Sequence, residues 1–512
     1  MNSRLYRVIF NKNLGRLVVV SEKTVAQGKT GSQGGHDNSH STADSQAWGM
    51  VGYCYGKWLS LTAAVLVSLG TAQWAHADVQ TQVIADSSAA KNEQATILTT
   101  ASGITQVNIQ TPSAAGVSKN SFSQFDVGSD GVILNNSRKN TQTQTAGWVE
   151  GNPWLGKGEA KVILGQVNST SPSQLAGYTE IAGGKAELVI ANPAGITCSG
   201  CGFINASRTT LTTGQAQMAD GRLTGFDVGG GKIRIDGKGL DTSTSDYTQL
   251  IAQTNEINAK VYAKNLDVIS GSNQVSYDSD ASNTQITHKD PAATNQATGV
   301  ALDVSSLGGM YAGKIRLIGT DKGLGVTNAG DISASNSLSL DAQGNLTNTG
   351  FMGAEDGAAV NVNGNAITNS GTLASSQQGV QLDSSSLTNS GLISARTQGS
   401  ISNTNTTNTG TLSAGQVNLT TDSLSNQGRI EQTGTGSLAV TTNSLTNQHQ
   451  AVMGQALYDD QPTATTPSLA NAPSTAATGS QQVANNTSNS TNPAPDTSVP
   501  VLEPVTANGQ IT

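Results

Sequence analysis

A short repeat in the C-terminal half constrains the fold of this chain more than any other feature of its sequence. The triplet Asn-x-Gly occurs six times, and a seventh asparagine follows without the glycine. These asparagines are Asn328, Asn348, Asn369, Asn389, Asn408, Asn426 and Asn447, and their successive spacings are 20, 21, 20, 19, 18 and 21. A period this short has no room for a pair of helices. It is typical of a parallel β-helix with one coil per unit.

Apolar residues within the units occur as i, i+2 pairs, which point to one face of a short strand. The pairs are Leu338 and Leu340, Val360 and Val362, and Val380 and Leu382. Because Asn and Gly both tolerate left-handed backbone conformations, Asn-x-Gly is expected to form the turn, with asparagines and threonines stacked in ladders between coils. A disordered Ser/Thr/Asn linker is the alternative, but disorder does not explain apolar residues held in register over six units.

The segment from residue 78 to about residue 320 uses the same short apolar segments with a less regular period. Strand candidates include Val107–Ile109, Val132–Leu134, Val162–Leu164, Leu188–Ile190, Ile233–Ile235 and Ile315–Ile318. Almost no stretch shows helical periodicity over twelve or more residues. We therefore expect an all-β fold, a parallel β-helix over residues 78–320 that continues as repeats over 321–450. Residues 451–512 are rich in Pro, Thr, Ser and Asn, which predicts a disordered tail.

Composition excludes several classes of protein. The 512 residues include 58 Gly, only 4% aromatic residues and 12% charged residues, with a formal net charge of −8. Since no basic stripe is visible, a nucleic-acid partner is not expected. Three cysteines in the whole chain exclude a disulfide-rich scaffold. A chain poor in aromatic residues suits a fold that buries small aliphatic residues in many thin layers.

The segment 1–77 has the features of an export signal. A basic start precedes the apolar run from Trp58 to Leu69, which has the length of a signal-peptide core. Ala75 and Ala77 match the small-x-small cleavage pattern, which predicts a mature start at Asp78. An N-terminal membrane anchor is the alternative. This leader carries seven Lys and Arg against three Asp and Glu, so its charge is +4 and that of the remaining chain is −12.

Three polar clusters stand out in the predicted first domain. The first contains Asn135, Asn136, Ser137 and Arg138, followed by Asn152, Pro153, Trp154 and Leu155. The second consists of Asn192, Pro193, Ala194, Gly195 and Ile196. The third begins with Cys198 and Cys201. Because Asn side chains bond to nearby backbone and Pro fixes φ, the first two clusters could simply form turns.

At these residues the chain resembles the secretion domain of two-partner exoproteins, the family of filamentous haemagglutinin and contact-dependent inhibition proteins. The family's motifs Asn-Pro-Asn-Leu and Asn-Pro-Asn-Gly-Ile correspond to residues 152–155 and 192–196, and both depart at the third position. The segment Phe122–Val127 is also similar. In addition, the first eleven residues resemble the extended signal peptide of very large Gram-negative exported proteins.

The resemblance implies a right-handed parallel β-helix with an N-terminal cap. It also implies export through the Sec translocon and then through an outer-membrane β-barrel partner with periplasmic POTRA domains, to the outer surface of a Gram-negative bacterium. The expected function is that of a haemagglutinin-like adhesin whose β-helix serves as a fibre, with a host or neighbour-cell receptor. The alternative is the delivery part of a contact-dependent growth inhibition toxin whose toxin domain this chain lacks.

The Cys198-x-x-Cys201 pair is open to several interpretations. A zinc site needs two more ligands, and the only histidines after the leader, His288 and His449, are far away in sequence. A redox site of the thioredoxin type needs a βαβ context, which is missing. Export favours a structural disulfide, with two packed thiols as the alternative. No grouping of residues suggests catalysis, so neither an enzyme nor a cofactor is expected.

Overall fold

The structure is a computed structural model whose described residues are 79–289, 299–361 and 365–455, with the backbone of four short strands outside these ranges. The chain divides into two units, residues 1–75 and 76–512. In the first unit, strands Tyr6–Asn11 and Arg16–Ser21 pair antiparallel. The predicted cleavage site at Ala75, Ala77 and Asp78 lies outside the described residues.

The second unit is a β-solenoid of about 13 turns. Each turn contributes one strand to each of three parallel sheets, named here face A, face B and face C in chain order. Face A contains Ser173–Leu175, Ile196–Cys198, Lys232–Ile235, Thr254–Ile257, Val300–Val304, Gly325–Asn328, Leu346–Asn348, Ala366–Asn369, Ser386–Asn389 and Ser444–Asn447.

Face B contains Thr105–Asn108, Val132–Asn136, Tyr178–Gly183, Cys201–Ile204, Leu240–Thr242, Lys260–Ala263, Gly309–Ala312, Asp331–Ala334, Phe351–Ala354, Thr372–Ser375, Arg429–Gln432 and Val452–Gln455. Face C contains Val117–Asp126, Val162–Val167, Ala186–Ala191, Ala206–Thr212, Tyr247–Ala252, Asn265–Ser270, Lys314–Gly319, Ser337–Ala342, Gly357–Asn361, Val380–Asp383 and Ala439–Thr441.

Two long strands, Leu392–Asn408 and Thr411–Asn426, pass through all three faces. They lie in the two shortest units of the repeat, so the turns between their faces are too short to interrupt the strand.

The predicted pairs Leu338/Leu340 and Val380/Leu382 are buried in the core, as is Val360, whereas Val362 lies outside the described residues. On face C, Leu317, Leu340, Val360, Leu382 and Ile401 lie one above the other in successive coils, each with 2% or less of its surface exposed. Because the pairing is parallel and in register, every coil buries its apolar side chains against the equivalent residues of the next coil.

The asparagines of the repeat form a continuous buried ladder along face A. The Nδ2 atom of each asparagine from Asn328 to Asn426 donates to the Oδ1 atom of the next asparagine, at 2.7–2.9 Å. The same Nδ2 atom also donates to a backbone carbonyl of the next coil, for example from Asn348 to Thr372 O at 3.1 Å. The ladder therefore satisfies polar groups that would otherwise be costly inside the solenoid.

Glycine is required in Asn-x-Gly for a different reason from the one inferred from sequence. Among the described residues, no asparagine or glycine of the triplet has a positive φ. Instead the glycines stack coil on coil, and a Cβ on Gly371 or Gly391 would lie 2.0 or 2.1 Å from the carbonyl oxygen of the glycine one coil before. The turn requires glycine because two backbones approach closely, not because of a left-handed conformation.

The ladder begins in a column that is apolar in the earlier coils. Cys198, Ile235, Ile257 and Val304 precede Asn328 at the same register position of face A. The backbone pairing continues without interruption through this change. The solenoid also extends past the predicted boundary at residue 450, since Val452–Gln455 pairs with Arg429–Gln432 and buries Met453. Beyond it, strands Val505–Thr506 and Gln510–Ile511 pair antiparallel with the last coil.

A small antiparallel sheet, named here the exterior sheet, covers the outside of face C in its first coils. Its strands are Gln215–Ala219, Arg222–Val228, Asn273–Ser276 and Ile286–His288. It packs Phe226 and Val275 on outward-facing residues of face C such as Val189 and Ile269. Sequence periodicity did not predict this sheet, because its strands interrupt the coils instead of repeating with them.

A buried polar group joins the exterior sheet to face C. The Arg208 guanidinium lies 4.0 Å from the centroid of the Tyr277 ring and donates to Gln249 Oε1. The Tyr277 hydroxyl donates to Glu187, and burial raises the pKa of Tyr277 well above its ordinary value. Tyr277 therefore stays a neutral donor at any physiological pH.

The remaining elements are short. They are the 3₁₀ helices Lys91–Glu93, Pro153–Leu155 and Ala281–Asn283, and the strands Gln82–Ala85, Thr96–Thr99, Thr141–Thr143 and Gly147–Val149. In the part of the chain that the structure describes, no helix has the length and apolar character needed to cross a membrane.

The ladder predicts a large effect of Asn389→Ala on stability. The substitution removes the donor to the buried Asn408 Oδ1 atom and leaves Asn369 Nδ2 with backbone acceptors alone. We expect a loss of about 3 kcal/mol in the free energy of unfolding, measured by urea denaturation of the exported chain. The neighbouring Thr388 is exposed, so Thr388→Ala should change it by less than about 0.5 kcal/mol. Equal effects of the two substitutions would contradict the role of the ladder.

Candidate functional site: the secretion motifs of the first coils

An antiparallel cap covers the first coil of the solenoid. Strand Gln82–Ala85 pairs with the end of Val117–Asp126, and Thr96–Thr99 pairs with Thr105–Asn108. Asp86 holds the cap to a later loop, since its carboxylate accepts from Ser88 and from Asn168 Nδ2 at 2.8 Å. These hydrogen bonds hold the pKa of Asp86 below its ordinary value, and the bond from the Ser88 side chain has the largest effect. The expected N-terminal cap is thus present in the structure.

Asn135 and Asn136 are completely buried at the end of the second strand of face B. The Asn135 Nδ2 atom donates to Asn108 Oδ1 at 2.9 Å and to Glu150 O at 2.8 Å. The Asn136 side chain bonds the backbone of residues 160 and 184 through both of its polar atoms. Ser137 is also buried, whereas Arg138 is exposed. The hydrogen bonds of Asn135 and Asn136 therefore hold three segments of the first coils together.

Asn152 organises the turn of the first hallmark motif. Its Oδ1 atom accepts from Trp154 N at 3.0 Å and caps the 3₁₀ helix Pro153–Leu155. Its Nδ2 atom donates to Ile109 O and Asn135 O, both at 2.9 Å. Leu155 is fully buried, while Trp154 is 45% exposed. Trp154 Nε1 donates to Thr96 Oγ1 of the cap, at 3.1 Å.

Asn192 likewise organises the turn of the second hallmark motif. Its Oδ1 atom accepts from Ala194 N at 2.9 Å, while Nδ2 donates to Ser171 O and Ser173 Oγ of the preceding turn. Gly195 has a φ of 123°, a conformation in which a larger residue would be strained. Pro193 lies within this turn, and Ile196 then enters the core of face A with 1% of its surface exposed.

The four motif asparagines therefore share one property. Asn135, Asn136, Asn152 and Asn192 are all at most 3% exposed, and each uses its amide to bond backbone atoms. Nothing outside the folded chain can contact these amides. Of the hallmark residues, Trp154 is the one whose large apolar side chain reaches the surface of the folded protein.

Cys198 and Cys201 form a disulfide at the corner between face A and face B, with a Cα–Cα distance of 5.4 Å. Both side chains are at most 2% exposed, and each cysteine lies in an inward-facing column of the solenoid. Their sulfur atoms are therefore bonded to each other and are not ligands of a metal. Over the described residues, no three His, Cys, Asp or Glu side chains are grouped so as to hold a metal ion.

Fold and motifs together define a class: an exported β-solenoid whose capped first coils carry secretion motifs. Residues 81–348 match the model of the TPS secretion domain, and residues 1–45 match that of the extended signal peptide of type V secretion systems. The chain therefore belongs to the two-partner secretion exoproteins of the filamentous haemagglutinin and contact-dependent inhibition family. Its destination is the outer cell surface of a Gram-negative bacterium, and the family implies a transporter in the outer membrane.

The match to the secretion domain ends at residue 348, beyond the predicted boundary at residue 320. The solenoid offers no physical boundary there, because its strands pair continuously from the secretion domain into the Asn repeats.

The chain is similar to curated proteins and to a solved structure of this family. Toxin CdiA of Yersinia pestis is 51% identical over 344 residues, covering 65% of this chain and 10% of that protein. The tRNA nuclease CdiA-2 of Burkholderia pseudomallei is 44% identical over 358 residues, again 10% of its length. This chain thus spans about a tenth of these relatives. A solved filamentous hemagglutinin secretion domain is 28% identical with a TM-score of 0.49, covering 62% of this chain and 99% of that one.

The buried disulfide predicts a modest stabilisation. The bond closes a loop of only four residues, so in the chain-entropy picture Cys198→Ser with Cys201→Ser should lower the free energy of unfolding by about 2 kcal/mol. Because both sulfurs are buried, reductant should leave the native protein unchanged and expose two thiols only after urea is added. A thiol count with and without reductant and urea checks this. Free thiols in the untreated exported chain would show that the bond does not form.

Proposed function

We propose that this chain is the secretion domain and first stalk coils of a contact-dependent growth inhibition protein. The observation that carries the proposal is the 51% identity to a CdiA toxin over 344 residues, which cover 65% of this chain. The long solenoid supports it, since stacked coils separate whatever follows them from the cell surface.

In the proposed export route, the Sec translocon delivers the chain to the periplasm and an outer-membrane β-barrel with POTRA domains recognises its first coils. The burial of the motif asparagines supports recognition before folding, because in the folded chain their amides bond only to the protein. Folding outside the cell then proceeds coil by coil, since each strand pairs with the strand one coil before it.

Adhesion by the β-helix, the other function expected from sequence, is a second candidate. Face A of the solenoid is favourable for it, because the exterior sheet lies on face C and small side chains of face A such as Thr347, Thr368 and Thr388 are exposed in a regular row. Both candidates share the export route and differ in the kind of cell that is contacted.

Two asparagine variants separate recognition from stability. Asn192→Ala removes the motif amide, whereas Asn389→Ala removes a comparable buried amide far from the motifs. Both destabilise the folded solenoid, but only Asn192→Ala should retain most of the chain in the periplasm, at least tenfold more than wild type. The measurement is the ratio of periplasmic to extracellular chain in cells with and without the partner transporter. Equal retention of both variants would mean that the motif acts only through folding.

The kind of cell contacted distinguishes the two functions. Gram-negative cells that display the chain should bind labelled neighbouring bacteria above the level of cells without the transporter if the chain belongs to a delivery protein. Binding to animal cells but not to bacteria, measured by flow cytometry of mixed populations, would contradict the delivery function and support adhesion.

A further inference from the structure

The outer surface of face B carries aromatic rings along its midline. Tyr262 and Tyr311 stack with their ring centroids 5.4 Å apart. The Tyr311 ring lies over Gly309, since a Cβ atom on that glycine would be 3.0 Å from Tyr311 Cε2. Phe351 lies over Gly353 in the same way, with its Cζ atom 2.6 Å from a Cβ atom placed there. The rings therefore lie close to the sheet and form a low, apolar surface.

Two outward columns run along this surface, one on either side of the midline. The first column runs from Lys260 to Val452 and the second from Tyr262 to Gly454, with one residue of each column in each of nine coils. Several coils place a large side chain in one column beside a small residue in the other. These pairs are Tyr311 and Gly309, Phe351 and Gly353, and Leu392 and Ser394. Leu392 is 38% exposed, so part of this apolar surface faces solvent.

A two-fold axis along the midline makes this surface complementary to itself. Such an axis brings the same coils of two parallel copies face to face and places each column opposite the other column. Leu392 of each copy then faces the small Ser394 of the other copy. The Tyr311 and Phe351 rings already lie near the midline, so each ring meets the same ring of the second copy. Aromatic rings that meet in this way can stack with an offset, which is a favourable contact.

Charged residues of face B favour this parallel arrangement. Arg429 is in the first column and Glu431 in the second, and the two form an ion pair within the chain. The two-fold axis places Arg429 of each copy opposite Glu431 of the other, so that four charges of alternating sign meet. Lys260 faces Tyr262 of the second copy, where an ammonium group over an aromatic ring is favourable. In an antiparallel arrangement each column faces itself and different coils meet, so neither of these pairs is directly opposed.

The size of the surface sets the strength of the contact. Nine coils spaced by about 4.8 Å give a length of about 38 Å, and a strand of four residues covers about 13 Å across it. Each copy therefore offers about 500 Å², and two copies bury about 1,000 Å², which is the lower limit for a specific interface. An isolated pair should therefore associate weakly. Copies held side by side on one surface associate more readily, because their effective concentration is high.

We propose that face B is the contact surface between two parallel copies of this chain, which lie side by side with the two-fold axis along the solenoid. The contact buries the aromatic rings of the midline and leaves faces A and C of both copies accessible. This self-association goes beyond export and delivery and does not require either of them to be correct.

Sedimentation equilibrium of the exported chain measures the association directly. The protein concentration is varied from about 1 to about 500 µM, which brackets an expected dissociation constant of about 10–100 µM. We expect a reversible equilibrium between monomer and dimer. A chain that stays monomeric over this range would overturn the proposal, and so would one that forms only larger assemblies.

Two matched substitutions in one coil place the contact on face B. Ala374 is in the second column, and Ala374→Arg brings two guanidinium groups together near the axis, so it should weaken the dimer by about tenfold or more. Thr368→Arg adds the same side chain to an exposed position of face A and should leave the dissociation constant unchanged. Urea midpoints establish that both variants are folded. Equal weakening by the two substitutions, or weakening by Thr368→Arg alone, would show that the copies do not meet through face B.

A charge exchange tests the parallel orientation separately. Arg429→Glu places two carboxylates opposite each other and Glu431→Arg places two guanidinium groups opposite each other, so each variant alone should dimerise about threefold to fivefold more weakly. An equal mixture of the two variants should recover the strength of the wild-type dimer, because every contact between unlike copies then joins opposite charges. Both variants lack the ion pair within the chain, so the recovery reports only the contact between copies. A mixture no stronger than the single variants would contradict the parallel arrangement.

Discussion

The hydrogen bond from each buried asparagine amide to the asparagine of the next coil fixes the register on which the repeat region depends. An amide inside the solenoid is costly unless both its polar atoms are paired. The asparagine at the same position of the next coil supplies an acceptor at 2.8 Å, and a backbone carbonyl of that coil supplies another at 3.2 Å. A slip by one residue would break this bond and turn the apolar pairs outward. Amide pairing and apolar burial therefore select the same register.

The ladder also explains why the solenoid can have thin coils with few aromatic residues. Leu and Val fill the inward columns of face C, and small residues such as Ala334 and Ala354 line a corner of face B. The stacked glycines let adjacent turns approach until their backbones nearly touch. A larger side chain at any of these glycines would separate two coils and weaken the amide bond beside it. The composition that first suggests a small core thus suits a core assembled from many repeats.

The sequence predicted what repeats and missed what does not. The solenoid, its inward pairs and the asparagine ladder follow from the residue spacing alone, because each unit repeats the same pattern of apolar and asparagine residues. The exterior sheet could not be predicted this way, since Phe226 and Val275 find their partners on coils that are distant in sequence. The predicted reason for the glycine of Asn-x-Gly was wrong for a related cause. Glycine is required at position 371 because the backbone of the preceding coil lies against it, and a rule for local turns does not consider neighbouring coils.

If a transporter binds the motif asparagines, their burial in the folded chain means that binding must precede folding during export. Asn152 and Asn192 present free amides only while the chain is unfolded, because folding commits both amides to the backbone of the first coils. Recognition and folding thus compete for the same atoms. A transporter that binds the unfolded motif holds back the first coils, and release on the far side lets those amides form their internal bonds. Since each later coil needs an earlier coil to pair with, delaying the first ones delays the rest. If a transporter binds them, the few asparagines of the first coils would in this way keep a chain of many coils unfolded until it has crossed the membrane.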